Sequence, residues 1–267
     1  MFIDIHVHPA FYEPINEDVT VEKMRHDALD IHLNGTAPLQ HIFNQMRCAG
    51  LNRLCLLPED YTTEYGRPLV TNEEIRRLVD MAPDRFIGFA GVDPMAPGAA
   101  EALEHAFGDL GLAGLKLHPS RQHFRPSDER LKPIYDICEQ YRRPIIFHSG
   151  LSWEPNTLTK YSRPMEFEEL AATRPGLKIC LAHFGWPWVQ ETAMLMLTPT
   201  STQTQGFCIL TMPWSSINGY LTTTSPPPGS TAACGTRSCS EATIRVSNRS
   251  AWRTPSRVSD SERAPWS

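Results

Sequence analysis

The stretch Met1-Phe2-Ile3-Asp4-Ile5-His6-Val7-His8-Pro9 is a short apolar run that ends in two histidines one residue apart. Alternate side chains of a strand share a face, so His6 and His8 point the same way, roughly 6.5–7 Å apart along the backbone. At that separation two imidazoles can converge on one metal ion, because each metal–nitrogen bond is about 2 Å and the side chains lean inward. Pro9 has no N–H to continue a ladder, which sets the pair at the carboxyl end of the strand. In a parallel α/β barrel, active sites are built at that end. On an edge strand the same pair would be an ordinary surface His-x-His.

The 267 residues suffice for one large α/β domain or two small ones, and 41% hydrophobic content suits a chain with a core. A net charge of −5 gives no basic face for nucleic acid or anionic lipid. No stretch of 18 apolar residues occurs, and the N-terminus lacks a basic region followed by an apolar one. These features predict a cytoplasmic protein with a small-molecule substrate and neither nucleic acid nor membrane as a partner. The seven cysteines include no C-x-x-C pair, so reduced thiols are expected, and no cysteine stands at zinc-finger spacing from a histidine.

Beyond strand 1, residues 10–36 show no clear period and read as a long loop with one helical turn, lying over the metal end. Leu39, Ile42, Phe43, Met46 and Ala49 keep helical spacing, with Gly50 as C-terminal cap. Leu51–Pro58 reads as the second strand. Thr71 and Glu74 form a capping box that opens a helix carrying Ile75, Leu78 and Val79. Arg85–Val92 is the third strand, 97–108 a helix, and Gly114–Pro119 the fourth strand. Ser127 caps the next helix, which carries Leu131, Ile134, Tyr135 and Cys138. Pro144–Gly150 is the fifth strand, Met165–Ala172 a helix, Leu177–Gly185 the sixth strand, and Pro187–Leu197 begins another helix. Six apolar strands alternating with helices imply parallel strands joined by right-handed crossovers. A (β/α)8 barrel of the TIM type is favoured over an open doubly wound sheet, since no Gly-x-Gly-x-x-Gly turn follows the first strand.

The histidines carry the chemistry. His6 and His8 end the first strand, His118 the fourth, His148 the fifth and His183 the sixth, and each of these strand ends is closed by a Pro or Gly within two residues of its last histidine. Five of the ten histidines therefore fall on one rim of the expected barrel, which points to a shared metal site. Lys116 shares a strand face with His118. It either points into the barrel mouth toward an anionic substrate or is buried against a carboxylate such as Asp4 or Asp93. Arg121, His123 and Arg125 follow in a loop, where they either meet a carboxylate or, as the favoured reading, are solvated, and Trp153, Trp186 and Trp188 either line a pocket or belong to the core.

Together these motifs resemble the amidohydrolase superfamily, in particular the branch called amidohydrolase family 2. The matching segments are Asp4-Ile-His-Val-His8, Gly114-Leu-Lys-Leu-His-Pro119, Pro144-Ile-Ile-Phe-His-Ser-Gly150 and Leu181-Ala-His-Phe-Gly185, within residues 1 to about 197. The resemblance implies a metal-dependent (β/α)8 barrel. The family holds hydrolases and also non-oxidative decarboxylases, such as those resembling aminocarboxymuconate semialdehyde decarboxylase and resorcylate decarboxylase. By position it makes His6, His8 and His148 metal ligands and His183 the residue that orients or deprotonates the water on the metal. The metal would be one divalent ion, zinc or else manganese, lowering that water's pKa to about 7. A histidine titrating near neutrality suits the proton transfer. Lys116 and His118 are then the substrate-binding pair. The expected activity is hydrolysis of a small carboxylated or cyclic substrate, with decarboxylation as the alternative on the same scaffold. A homodimer would be unsurprising.

All ten histidines lie at or before His183, no lysine follows Lys178, and nearly half of the residues after 197 are Ser, Thr or Pro. The chain thus divides into a barrel region, 1–197, and a tail, 198–267, in which Thr222–Ser230 and Arg237–Ser267 read as disordered. The family pattern asks for two more strands and an aspartate closing the eighth. Gly206–Thr211 is the only later strand-like run, and Asp260 is the only aspartate there, with no strand before it. The barrel therefore reads as incomplete after the sixth strand, and the chain as written is expected to have low or no activity, a metal-binding relic at the limit. Loss of Lys and His with gain of Ser, Thr, Pro, Arg, Trp and Cys is what a GC-rich gene yields out of frame; the rival is a natural Ser/Pro-rich tail. Translating codons 190–267 in the other frames should continue the Pro187–Leu197 helix into two apolar strands, the second ending in aspartate. No such frame would mean that the tail is genuine.

Overall fold

The computed structural model describes residues 2–29, 35–197, 207–209 and 243–245, the last two segments as backbone. In chain order the strands are β1 (Phe2–Val7), β2 (Arg53–Leu56), β3 (Phe86–Gly88), β4 (Ala90–Gly91), β5 (Leu115–Leu117), β6 (Ile145–Phe147), β7 (Ile179–Leu181), β8 (Phe207–Ile209) and β9 (Thr243–Arg245). The helices are α1 (Val19–Leu29), α2 (Leu39–Ala49), α3 (Thr62–Tyr65), α4 (Asn72–Met81), α5 (Ala99–Gly108), α6 (Pro119–Gln122), α7 (Lys132–Gln140), α8 (Glu168–Thr173) and α9 (Val189–Leu197). The pairing order is β9-β1-β2-β3 and β4-β5-β6-β7-β8, with β1 through β8 parallel.

β3 and β4 are one strand of the barrel, parted at Phe89. Its N–H bonds Leu56 on one side, while the next N–H, of Ala90, bonds Gly114 on the other. The expected six strands are all present, and the fold is the TIM-barrel type. Cys180 in β7 pairs with Cys208 in β8, whereas β9 runs antiparallel to β1. The remaining tail residues, including 222–230, most of 237–267 and Asp260, lie outside the described residues. Among the described residues no helix is long and apolar enough to cross a membrane.

Strand alternation sorts the core into two layers. Leu54, Leu56, Leu115, Leu117, Ile145, Phe147, Ile179 and Leu181 join the large cluster that also holds helix residues such as Ile75, Leu103 and Ile134. Their neighbours Cys55, Leu57, Ile146, Cys180 and Ala182 form a smaller cluster with Phe89, which is the barrel interior. Lys116 and His148 occupy the same alternate positions as this inner set, so the barrel geometry turns them inward.

The helix starts follow side-chain chemistry. Thr71 and Glu74 form the expected capping box on α4, and Gly50 closes α2 at φ 69°. The cap before α7 is Asp128, which accepts from the Arg130 N–H, rather than Ser127. The larger correction is α1, eleven residues of helix where a loop was expected. Asp18 supplies its cap by accepting from the Thr20 N–H. α1 is held not by an apolar stripe but by Arg25, which is fully buried. The guanidinium donates to Leu69 O (2.7 Å), Ile15 O (2.6 Å), Asn16 Oδ1 (2.7 Å) and both oxygens of Glu74 (2.7 Å). Ala28 adds a contact with Tyr61 and Leu69.

Arg25→Ala should therefore cost about 3 kcal/mol or more, because it leaves two buried carbonyls without a donor and the Glu74 carboxylate with only the Thr71 N–H. Arg130→Ala, which removes an exposed pair with Asp128, should cost less than about 1 kcal/mol. Urea unfolding midpoints of the two variants check the contrast, and equal shifts would contradict it.

Candidate metal centre

Five histidine rings meet at the carboxyl ends of the strands. His8 lies 5.0 Å from His6, His6 lies 4.8 Å from His183, His183 lies 5.0 Å from His148, and His148 stacks on His118 at 4.0 Å with 7° between planes. All five residues expected on one rim are thus brought together. The Nε2 atoms of His6 and His8 are 3.0 Å apart. Two nitrogens at that distance can each stand about 2.1 Å from one ion. Among the described residues no three His, Cys, Asp or Glu side chains already converge as a complete cage; the two-nitrogen bite is the nucleus of the site.

The hydrogen bond at Nδ1 decides what each ring offers. His8 Nδ1 faces the carbonyl of Leu57 at 3.1 Å. A carbonyl only accepts, so Nδ1 carries the proton and Nε2 of the neutral ring presents its lone pair. In His118, Nδ1 accepts from the backbone N–H of Arg121 at 3.3 Å, so Nε2 carries the proton and is a donor. Nε2 of His118 and of His148 are buried and have no hydrogen-bond partner among the described residues. The neutral imidazoles of His6 and His148 are of the donor type that a divalent metal takes, and His118 presents an N–H instead of a lone pair at Nε2.

His183 reaches the cluster through a turn of unusual backbone. His183 and Phe184 have φ of 57° and 53°, left-handed values that cost a residue bearing a Cβ about 1–3 kcal/mol each. The turn packs against Gly150 (φ 98°), where a Cβ would collide with the carbonyl oxygen of Trp186. Only glycine lets the loops after β6 and β7 lie this close, with the Leu151 N–H bonded to Trp186 O at 2.7 Å.

Burial, then the positive charge of Lys116, holds His6 and His118 well below the usual imidazole range. Burial and the neighbouring His118 and His183 do the same for His148. His183 is pushed down to about 3 by burial, Lys116 and His8. The near-neutral value expected from the residue type is displaced because the ring is desolvated beside a cation. Lys116 is itself buried, and its charge is felt at four of the five rings. Asp93 is engaged elsewhere, by Thr63 and the Met95 N–H.

The expectation of a solvated loop after the fourth strand fails at Arg121, which is buried; His123 and Arg125 bond Asn156 O and Glu166. Trp153 is not core, being 76% exposed and tilted on Trp186 at 5.5 Å. Sequence reading missed Glu59 and Glu154. Glu59 follows the second strand, accepts from the Tyr61 O–H at 3.0 Å and lies 3.8 Å from His8 Nδ1. Glu154 lies 3.6 Å from His118 Nε2. The strand-end rule that located the histidines would have located Glu59 as well; nothing local marks Glu154. Burial pushes both carboxyls up, and Glu59 raises Glu154 further.

A family model described as amidohydrolase matches residues 3–202. Among solved structures, an uncharacterized TIM-barrel protein from Bordetella bronchiseptica is 21% identical at a TM-score of 0.60, over 78% of this chain and 74% of its own. A 4-oxalomesaconate hydratase from Rhodopseudomonas palustris is 17% identical at 0.54, over 85% and 79%. A protein described as an amidohydrolase II is 16% identical at 0.52, over 78% of each chain. These likenesses establish the barrel. No curated protein matches the chain.

The unfolded chain protonates its histidines near 6.5, whereas the fold keeps His6, His118, His148 and His183 neutral, so these four withdraw stability from metal-free protein as pH falls below about 6.5. Glu59 and Glu154, with raised pKa values, work in the opposite sense. Nitrogen-15 NMR of metal-free protein isolates the effect: the His183 ring should stay neutral until pH nears about 3. A His183 ring that titrates near 6.5 would contradict the burial argument.

Proposed function

The chain belongs to the amidohydrolase family, and on that footing we propose that it is a metal-dependent hydrolase of small carboxylated or cyclic substrates. The observation that carries the proposal is the convergence of His6 and His8 Nε2, 3.0 Å apart on one strand. His6, His8 and His148 hold one divalent ion, for which three neutral imidazoles suit zinc better than magnesium or calcium. Bound there, such an ion polarises the substrate and brings the pKa of a water to about 7.

The remaining work falls to the chain's own groups. Lys116, desolvated among the rings, attracts and orients an anionic substrate. His118 donates from Nε2 to a substrate oxygen, because its other nitrogen is engaged by Arg121. His183 accepts and returns the proton moved in hydrolysis. Its ring is neutral and 4.8 Å from His6, and an anionic substrate beside it moves its pKa back up toward the working range. Each of these side chains belongs to residues 1–197.

Metal analysis of the purified wild type should give about one zinc per chain. His6→Ala and His8→Ala should each weaken zinc binding by more than about 100-fold, beyond the 10–100-fold typical of groups that only support a ligand. Wild type that binds no divalent ion, or variants that keep it, would overturn the assignment. Product analysis separates the chemistries, since release of carbon dioxide without uptake of water would make the protein a carboxy-lyase.

A further inference from the structure

We propose that the Glu154 carboxylate occupies the seat of the substrate's carboxylate, between Arg121 and His118, and that an incoming carboxylate replaces it. The inference rests on the reading that the substrate is a small carboxylate. One oxygen, Oε2, accepts from Arg121 Nη1 at 3.1 Å and stands 3.6 Å from His118 Nε2. The first distance is a hydrogen bond and the second is too long for one. His118 Nε2 is nonetheless a buried donor, by the tautomer that Arg121 N–H imposes, and it has no hydrogen-bond partner among the described residues. Glu154 therefore fills the seat badly, and a ligand carboxylate that moves closer to His118 satisfies a donor that Glu154 leaves unmet.

The seat persists when Glu154 leaves. The Arg121 guanidinium also donates to Ala28 O (2.7 Å), the Tyr65 hydroxyl (2.8 Å) and Glu64 (3.3 Å), and it lies over the Tyr61 ring at 4.2 Å. Glu154 itself belongs to a segment without regular structure between β6 and the anchors at Asn156 and Leu158. Those anchors are the Asn156 side chain to Glu64 (2.7 Å), the His123 ring to Asn156 O (2.7 Å) and the Leu158 N–H to Ser120 O (2.9 Å). Thr157 Oγ1 holds the Glu154 carbonyl at 2.9 Å and the Leu151 N–H is tied to Trp186 O, so it is the Glu154 side chain, beside the exposed Trp153, that swings out. His118 stacks on His148 at 4.0 Å, so a carboxylate held here carries the rest of its molecule toward His148 and His183.

The competing reading is a permanent counter-ion for Arg121. Benzoate binding to chelator-treated protein, followed by calorimetry, decides between them without turnover or metal. If Glu154 fills the seat most of the time, Glu154→Gln should bind benzoate about tenfold more tightly than wild type, and adding His118→Phe should abolish the gain. In wild type, benzoate should shift the tryptophan emission, and Trp153→Phe should remove that shift. No gain in Glu154→Gln, or wild-type benzoate binding without a Trp153 signal, would overturn the proposal. The second readout needs no change at Glu154 and so stands even if that variant misfolds. Zinc titration of the same preparations reports separately on the metal reading. A benzoate gain without zinc binding keeps the seat and removes the metal enzyme, and zinc binding without the gain does the reverse.

Discussion

A neutral imidazole has one proton for two nitrogens, and the whole site depends on where the backbone puts it. The Leu57 carbonyl accepts a hydrogen bond from Nδ1–H of His8, and the Leu57 N–H in turn bonds Val7 O. Pairing of β1 with β2 therefore both aligns the strands and turns the Nε2 lone pair of His8 toward the cluster. The Arg121 N–H does the opposite to His118, making it a donor. Two histidines in one cluster thus receive contrary chemistry from main-chain groups that no side-chain inventory includes.

That division explains what the sequence showed and what it hid. The six barrel strands, the rim of five histidines and the inward Lys116 follow from period-two patterning and strand-end punctuation, which are local. The α1 helix was hidden because its attachment is one arginine bonded to partners as far away as Leu69 and Glu74. Glu154 was hidden for the same reason, and so was the burial of Arg121, since a buried ion pair between two loops leaves no periodic trace. His183 was found as a residue but misjudged in its acidity, because desolvation is a property of the closed cluster and not of the motif.

Close approach of backbones is the second constraint. His183 can face His6 and His148 only because the turn that carries it accepts two left-handed residues and lies against Gly150. The strain is local, and the packing of the loops after β6 and β7 overcomes it. It follows the general pattern in which uncommon backbone conformations collect where side chains must be aimed rather than merely buried.

The manner in which α1 is attached also bears on the order of folding. A helix without an apolar stripe gains little from early collapse, and two of its hydrogen-bonding partners, Leu69 O and the Glu74 carboxylate, are over 40 residues away in sequence. It therefore docks late. Yet the carbonyl of Ala28, near its end, is one of the acceptors that hold Arg121. The proposed carboxylate seat is thus held in part by α1, so its formation waits on the docking of that helix.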